Sequence, residues 1–273
     1  MGDVFEESLF NKQPRQFNEI DVRARAFAAN YCGNTIIRDS IFQVVTNYAR
    51  KRELSVEILR YPFKDEELWA FTFVKKGTLF LCVNSELSMC KQFFAAAHEL
   101  YHIHCYAEDI EPGIITSGSL LESKTVDDRA MSQEDLEANA FAGLLLMPDN
   151  MLDEQIKMYG ITGEMISVDD ILTLMELFAL PFKAVVLRLA ENHNITAAKA
   201  QNLLKTDASF VSERMKLTGK ALGWQQNSKE LVHFGTLLDD MKNNRDKELL
   251  TDSREESDRE YLEKIRKGFW NEY

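Results

Sequence analysis

Residues 85–106 read SELSMCKQFFAAAHELYHIHCY, and this stretch decides the fold. It holds neither Gly nor Pro and has three consecutive alanines at its centre, so a helix is expected over 85–106. Inside it stands His98-Glu99-Leu100-Tyr101-His102, an HExxH pattern. On a helix, positions i and i+4 lie about 40° apart on one face, so both imidazoles can reach a single tetrahedral ion. Glu99 sits beside that face, where its carboxylate reaches a water at an open fourth position. The chain has five histidines in all, and three fall at 98, 102 and 104.

A catalytic zinc site needs a third protein ligand. His104 lies about 200° around the helix from His102 and faces away. Cys105 is on the side of His102, but its place further along the helix makes one tetrahedron with His98 awkward. The next helix offers carboxylates, because 132–148 reads SQEDLEANAFAGLLLMP and carries Glu134, Asp135 and Glu137. An antiparallel helix packed beside the first would deliver one of them. Glu134 and Glu137 share a face, so spacing does not choose between them.

Working outward, the polar residues 1–18 read as a loose terminal arm. Residues 20–52 show helical periodicity broken near Gly33-Asn34, which suggests two helices. SVEILRY at 55–61 alternates as a short strand. The runs 69–74 and 78–83 flank Lys75-Lys76-Gly77 and read as a β-hairpin, with Trp69, Phe71, Phe73 and Phe80 as its buried face. Residues 107–131 hold turn formers and mixed polar residues, so a long surface loop is expected there. Ser132-x-x-Asp135 and Ser167-x-x-Asp170 are helix caps, and Pro148 stops the second of the two central helices. Pro181 and Thr196 open further helices. The tail beyond about 206 is polar and helical in pattern, with a capping box at Ser253-x-x-Glu256 and i,i+4 charge pairs.

Length and charge exclude several classes. The 273 residues allow one large domain or a main domain with a helical appendage. Acidic residues outnumber basic ones 44 to 32, a formal charge of −12 that repels phosphate backbones and anionic bilayers. No apolar run approaches membrane-spanning length, and the first residues lack a signal layout. Four cysteines (Cys32, Cys82, Cys90, Cys105) show no CxxC spacing, so a cytoplasmic protein with reduced thiols is expected.

FFAAAHELYH followed by EANAFAGLLLMP resembles the ImmA/IrrE family of metallopeptidases, whose pattern runs RF-x-x-AHE-x-x-H and then EAN-x-FA-x-x-LLMP. The likeness is strongest over 79–148. It implies a zincin-like α+β core with one Zn²⁺ ion held by His98, His102 and Glu137, Glu99 as the catalytic base, and Glu134 in second place as ligand. Two positions depart from the pattern: Tyr101 stands where the family has Gly, and Phe93 where it has Arg. The resemblance also implies a site-specific zinc endopeptidase whose protein substrate is a helix-turn-helix repressor.

The expected architecture is an arm over 1–18, an α+β metallopeptidase core over 19–160 with a small sheet, a helical, helix-turn-helix-like segment over 161–205, and a charged helical region over 206–273. In that third segment only Lys183 and Arg188 are basic on the second helix, thin for phosphate contacts, so packing or substrate docking is the preferred role. Direct nucleic-acid or membrane partners are not expected. Tyr101, Tyr106 and His193 are the conceivable oxyanion donors. The competing function is a non-proteolytic antirepressor or toxin–antitoxin binding module with a structural or vestigial metal.

Overall fold

Three β-prone runs and one two-residue strand from the tail meet in a four-stranded sheet. The computed structural model describes residues 5–33, 35–63, 68–109, 132–228 and 232–267; the expected 107–131 loop, with Pro112-Gly113 and Asp127-Asp128, lies largely outside them. Strand β1 (Ser55–Tyr61) pairs in parallel with β3 (Thr78–Asn84), and β2 (Ala70–Lys75) pairs antiparallel with β3. The β2–β3 turn places Lys76 at φ 51° and Gly77 at φ 78°, the left-handed pair whose twist matches a tight hairpin. β4 (His233–Phe234) adds antiparallel to β1, giving the order β2-β3-β1-β4. Reading 206–273 as helical throughout therefore misses a strand. Two residues are too few to show a period.

The hairpin's faces are the reverse of the expectation. Thr72, Val74, Leu79, Leu81 and Val83 form the buried face, while Phe71, Phe73 and Phe80 are half-buried on the other. There the rings cover one another, with Phe73 and Phe80 stacked at 4.8 Å. Helices supply the better cover on the first face, so aliphatic residues take it and the large rings shield each other.

Before the sheet come α1 (Leu9–Lys12), α2 (Pro14–Tyr31) and α3 (Ile41–Lys51). Residues 5–18 are no loose arm, because Phe5, Leu9 and Phe17 enter the core. Helix α4 (Met89–Asp109) follows the sheet. Its start is later than expected because Asn84 Oδ1 accepts from the Phe63 and Glu86 amides and holds the chain in a turn. Ala96, Ala97, Leu100, Tyr101 and Ile103 of α4 are all essentially inaccessible, so this helix runs through the interior. Against it packs α5 (Gln133–Leu146), capped by Ser132, whose hydroxyl accepts from the Asp135 amide at 3.0 Å. Phe141, Leu144, Leu145 and Met147 are core, as expected.

The remaining helices are α6 (Asp149–Tyr159), α7 (Val168–Phe178, with the expected Ser167/Asp170 capping box), α8 (Phe182–Glu191), α9 (Ala197–Leu204), α10 (Ala208–Thr218), α11 (Leu222–Gln225), α12 (Leu237–Asp246) and α13 (Asp252–Arg266). The cap of α13 is Thr251 rather than Ser253. None of the described helices is long and apolar enough to cross a membrane.

Two long-range clamps hold this arrangement. Residues 224–228 cap the start of α4: the Met89 amide donates to Gln226 O at 2.9 Å, and Ser228 Oγ donates to Gln92 Oε1 at 2.9 Å and accepts from Arg60 at 3.0 Å. Trp224 packs edge-on to Phe93, the residue standing in place of the family's Arg. The second clamp is Arg188, 2% exposed, which lies across Gly143 of α5. Its guanidinium donates to Met147 O at 3.2 Å and to Glu191 at 2.7 Å, and pairs with Asp149. Burial pushes the Glu191 carboxyl up, and Arg188 works against that shift. Removing the cation would strand the buried Glu191, although Asp149 keeps Arg25 at 3.0 Å, so Arg188→Ala should cost about 3–5 kcal/mol in urea denaturation. A loss below about 1 kcal/mol would show that solvent screens the cluster.

All four cysteines are free. Burial pushes the Cys32 and Cys82 thiols up to about 12. Alkylation needs the thiolate, so native labelling of both at pH 8 should run about 10³-fold slower than a free thiol and rise about tenfold per pH unit. Rapid labelling of Cys82 at pH 8 would contradict its burial.

Candidate metal centre

Helix α4 is covered by core on most sides, and the strip left toward the start of α5 carries His98 and His102. The two Nε2 atoms face each other at 3.2 Å. Each Nδ1 is held from behind: His98 donates to Asn139 Oδ1 at 2.9 Å and His102 to Glu134 Oε1 at 3.0 Å. With the proton on Nδ1, both Nε2 lone pairs point into the shared space, the tautomer that metal-binding imidazoles use.

Among the described residues, the carboxylate that approaches both Nε2 atoms is Asp135. Its Oδ1 lies 3.6 Å from His98 Nε2 and 3.9 Å from His102 Nε2. A tetrahedral ion with bonds of about 2.0–2.1 Å needs donors about 3.4 Å apart, so this trio fits with shifts of a few tenths of an ångström. Among the described residues it is the one His/Cys/Asp/Glu group of this kind. All three side chains keep some access, at 17%, 13% and 17% exposure for His98, His102 and Asp135, as an open coordination position requires.

Glu137 is not brought into this group. Its Oε2 accepts from the Tyr101 hydroxyl at 2.6 Å, and its Oε1 accepts from Gln133 at 3.0 Å. Tyr101, 1% exposed, is held in turn by Arg23 at 3.3 Å. The phenol that replaces the family's Gly thus supplies a partner for Glu137 away from the imidazoles. Glu134 is bonded to Nδ1 of His102, so it supports a ligand rather than joining Nε2 of both.

Glu99 is 8% exposed, and its Oε2 accepts from Thr72 Oγ1 of β2 at 2.8 Å. It lines the same cleft as His98 and Asp135. Burial works to lower the His98 pKa, but Asp135, Glu99 and Asn139 outweigh it and hold it above the usual imidazole range. The surroundings of this face therefore favour positive charge, whether carried by a proton or by a metal.

The other singled-out residues stand elsewhere. His104 turns its Nδ1 to the Tyr48 hydroxyl at 3.0 Å, in an aromatic nest with Phe27. Cys105 Sγ accepts from Arg23 at 3.4 Å. Tyr101 is committed to Glu137, and His193 packs on Phe10. Neither these two nor Tyr106 lines the cleft. Sequence reasoning missed Thr72 and Asn139 as the side chains that orient Glu99 and His98. Asn139 carried a signal, standing four residues after Asp135 on the same helix face.

An HExxH helix between a small sheet and a second helix, with two imidazoles and a carboxylate converging, defines a metallopeptidase-type hydrolase domain. Residues 51–190 match the family model described as IrrE N-terminal-like domain, a peptidase family, and the chain belongs to that family. The match runs from the end of α3 to α8 and contains His98, His102 and Asp135. No curated protein matches the chain.

Proposed function

We propose that this chain is a zinc-dependent endopeptidase that cuts a regulatory protein at a specific site, with a helix-turn-helix repressor as substrate. The observation that carries the reading is the pair of Nε2 atoms at 3.2 Å with Asp135 3.6 and 3.9 Å away and buried Glu99 beside them. Two imidazoles and one carboxylate suit zinc in the manner of hydrolytic sites. His98, His102 and Asp135 would hold it, with Asp135 in place of Glu137. When bound, the ion lowers the pKa of water toward about 7 and polarises a carbonyl.

The protein's own groups do the rest. Thr72 occupies Oε2 of Glu99 and fixes the carboxylate plane, leaving Oε1 to take a proton from the attacking water and return it to the leaving amine. Asn139 and Glu134 keep both imidazoles in the ligating tautomer. The substrate assignment rests on family analogy. It is supported by α8, whose Arg188 is locked inside, leaving Lys183 as that helix's exposed cation. Such a helix suits protein contact better than DNA reading.

The test is chelation and reconstitution with a helix-turn-helix repressor as substrate, read by mass spectrometry. A single cut should appear, fall at least about 100-fold on chelation and return with one equivalent of zinc. Cutting that persists after metal removal would overturn the proposal.

A further inference from the structure

The cleft that holds His98, Glu99 and Asp135 continues well beyond them, with a volume of about 610 Å³, inside the roughly 300–1,000 Å³ of ligand-sized pockets. Its walls are apolar: Phe94 from α4, Leu136 and Ala140 from α5, Ala184 and Leu187 from α8, and Leu9 from α1. The room exists because the facing positions are small. Ala140 on α5 stands four residues after Leu136, and Ala184 lines the cleft from α8.

The polar groups deeper in the cleft are already committed. Arg188 gives its hydrogen bonds to Met147 O, Glu191 and Asp149, and Glu191 is neutralised by Arg188. A charged side chain entering here would lose water and find no free partner, whereas an apolar one would cover apolar wall. Lys183 sits at an exposed position on the rim, as does Glu7, which is itself paired with Lys12.

We propose that this cleft is the subsite for one large apolar side chain, aromatic or long aliphatic, on the substrate residue adjoining the bond to be cut, and that Leu9, Ala184 and Leu187 set the preference. The inference rests on the peptidase reading above. Continuity with the reacting groups fixes the occupant, because a side chain in this cavity belongs to a backbone lying across His98 and Glu99. One wall comes from outside the family-matched residues. Leu9 is 2% exposed, and a reciprocal amide pair ties its segment to α5, Gln13 to Gln133 at 2.6 Å and Gln133 to Gln13 at 3.1 Å. Selectivity thus depends on a segment that the matched domain does not contain.

The test uses end-blocked peptides that differ at one residue, bound to zinc-loaded Glu99→Gln and followed by calorimetry. Phe or Leu at that residue should bind about 10- to 100-fold tighter than Gly, Asp or Lys. Ala184→Trp, which fills the cleft, should reduce the discrimination to about threefold with zinc content unchanged. Leu187→Asn, at a half-exposed position, is the second variant and should weaken Phe binding about tenfold. A flat series, or one led by Asp or Lys, overturns the subsite. The wild-type enzyme then separates the two readings. Selective binding without cleavage sinks the peptidase and supports the subsite; cleavage without selectivity sinks the subsite and leaves the peptidase.

Discussion

Alanine at position 135 is expected to strip the metal from the protein, while alanine at 137 leaves it bound. Among the described residues, Asp135 is the one carboxylate whose oxygen approaches both facing Nε2 atoms, at 3.6 and 3.9 Å. A site worth of order 10 kcal/mol that loses one of three ligands gives up about a third of that, so zinc affinity should drop by roughly 10²–10³-fold in Asp135→Ala. Glu137→Ala breaks a 2.6 Å hydrogen bond from a buried phenol instead. Its expected cost is about 1–3 kcal/mol of stability, from the unsatisfied Tyr101 hydroxyl, with metal affinity changed by less than about tenfold. Asn139→Ala, which frees His98 Nδ1, should fall between them at about 10–100-fold. Competition with a chromophoric chelator measures all three. Zinc retained by Asp135→Ala and lost by Glu137→Ala would return Glu137 to the ligand set.

The second large effect is expected at Glu99. Glu99→Gln keeps the size and the acceptor that Thr72 bonds at 2.8 Å, so the fold and the metal site should be unchanged. An amide cannot take a proton from water at neutral pH, and the turnover rate should fall by about 10²–10⁴-fold with one zinc still bound. A loss below tenfold would remove Glu99 from proton transfer. If the variant releases its regulatory partner as well as the wild type does, hydrolysis is not the function, and a binding module with a structural metal takes its place.

What the sequence made legible was local. An HExxH on an alanine-rich run, a hairpin with Lys-Gly at its turn, and caps at Ser132, Ser167 and Thr196 each show their physics within a few residues, and the structure has them all. The third metal-site residue depends on how α5 is rotated against α4. That rotation is set by Tyr101, Ser132 and the core around Phe141, and three acidic residues in one turn leave it ambiguous. The parallel pairing of β1 with β3 and the addition of β4 are contacts across distance, with no local period to announce them. The N-terminal stretch was misread for the same reason, since Phe5 and Leu9 are buried by residues far along the chain. The aromatic face of the hairpin failed differently. Ring content marked a strand correctly, but which side α4 covers is decided by packing.

The clamp on the first turn of α4 has a consequence for how the protein is made. Ser228 bonds Gln92 across 136 residues, and the Met89 amide has its acceptor in Gln226. A ribosome adding about 5–20 residues per second takes about 7–27 s to travel that distance. For that interval the emerging chain already contains both histidines and Glu99, yet lacks the groups that seat the helix carrying them. The seat of this helix is therefore completed only after residue 228 has been made, and a chain that stops short of residue 226 carries an HExxH helix whose beginning is left unfastened.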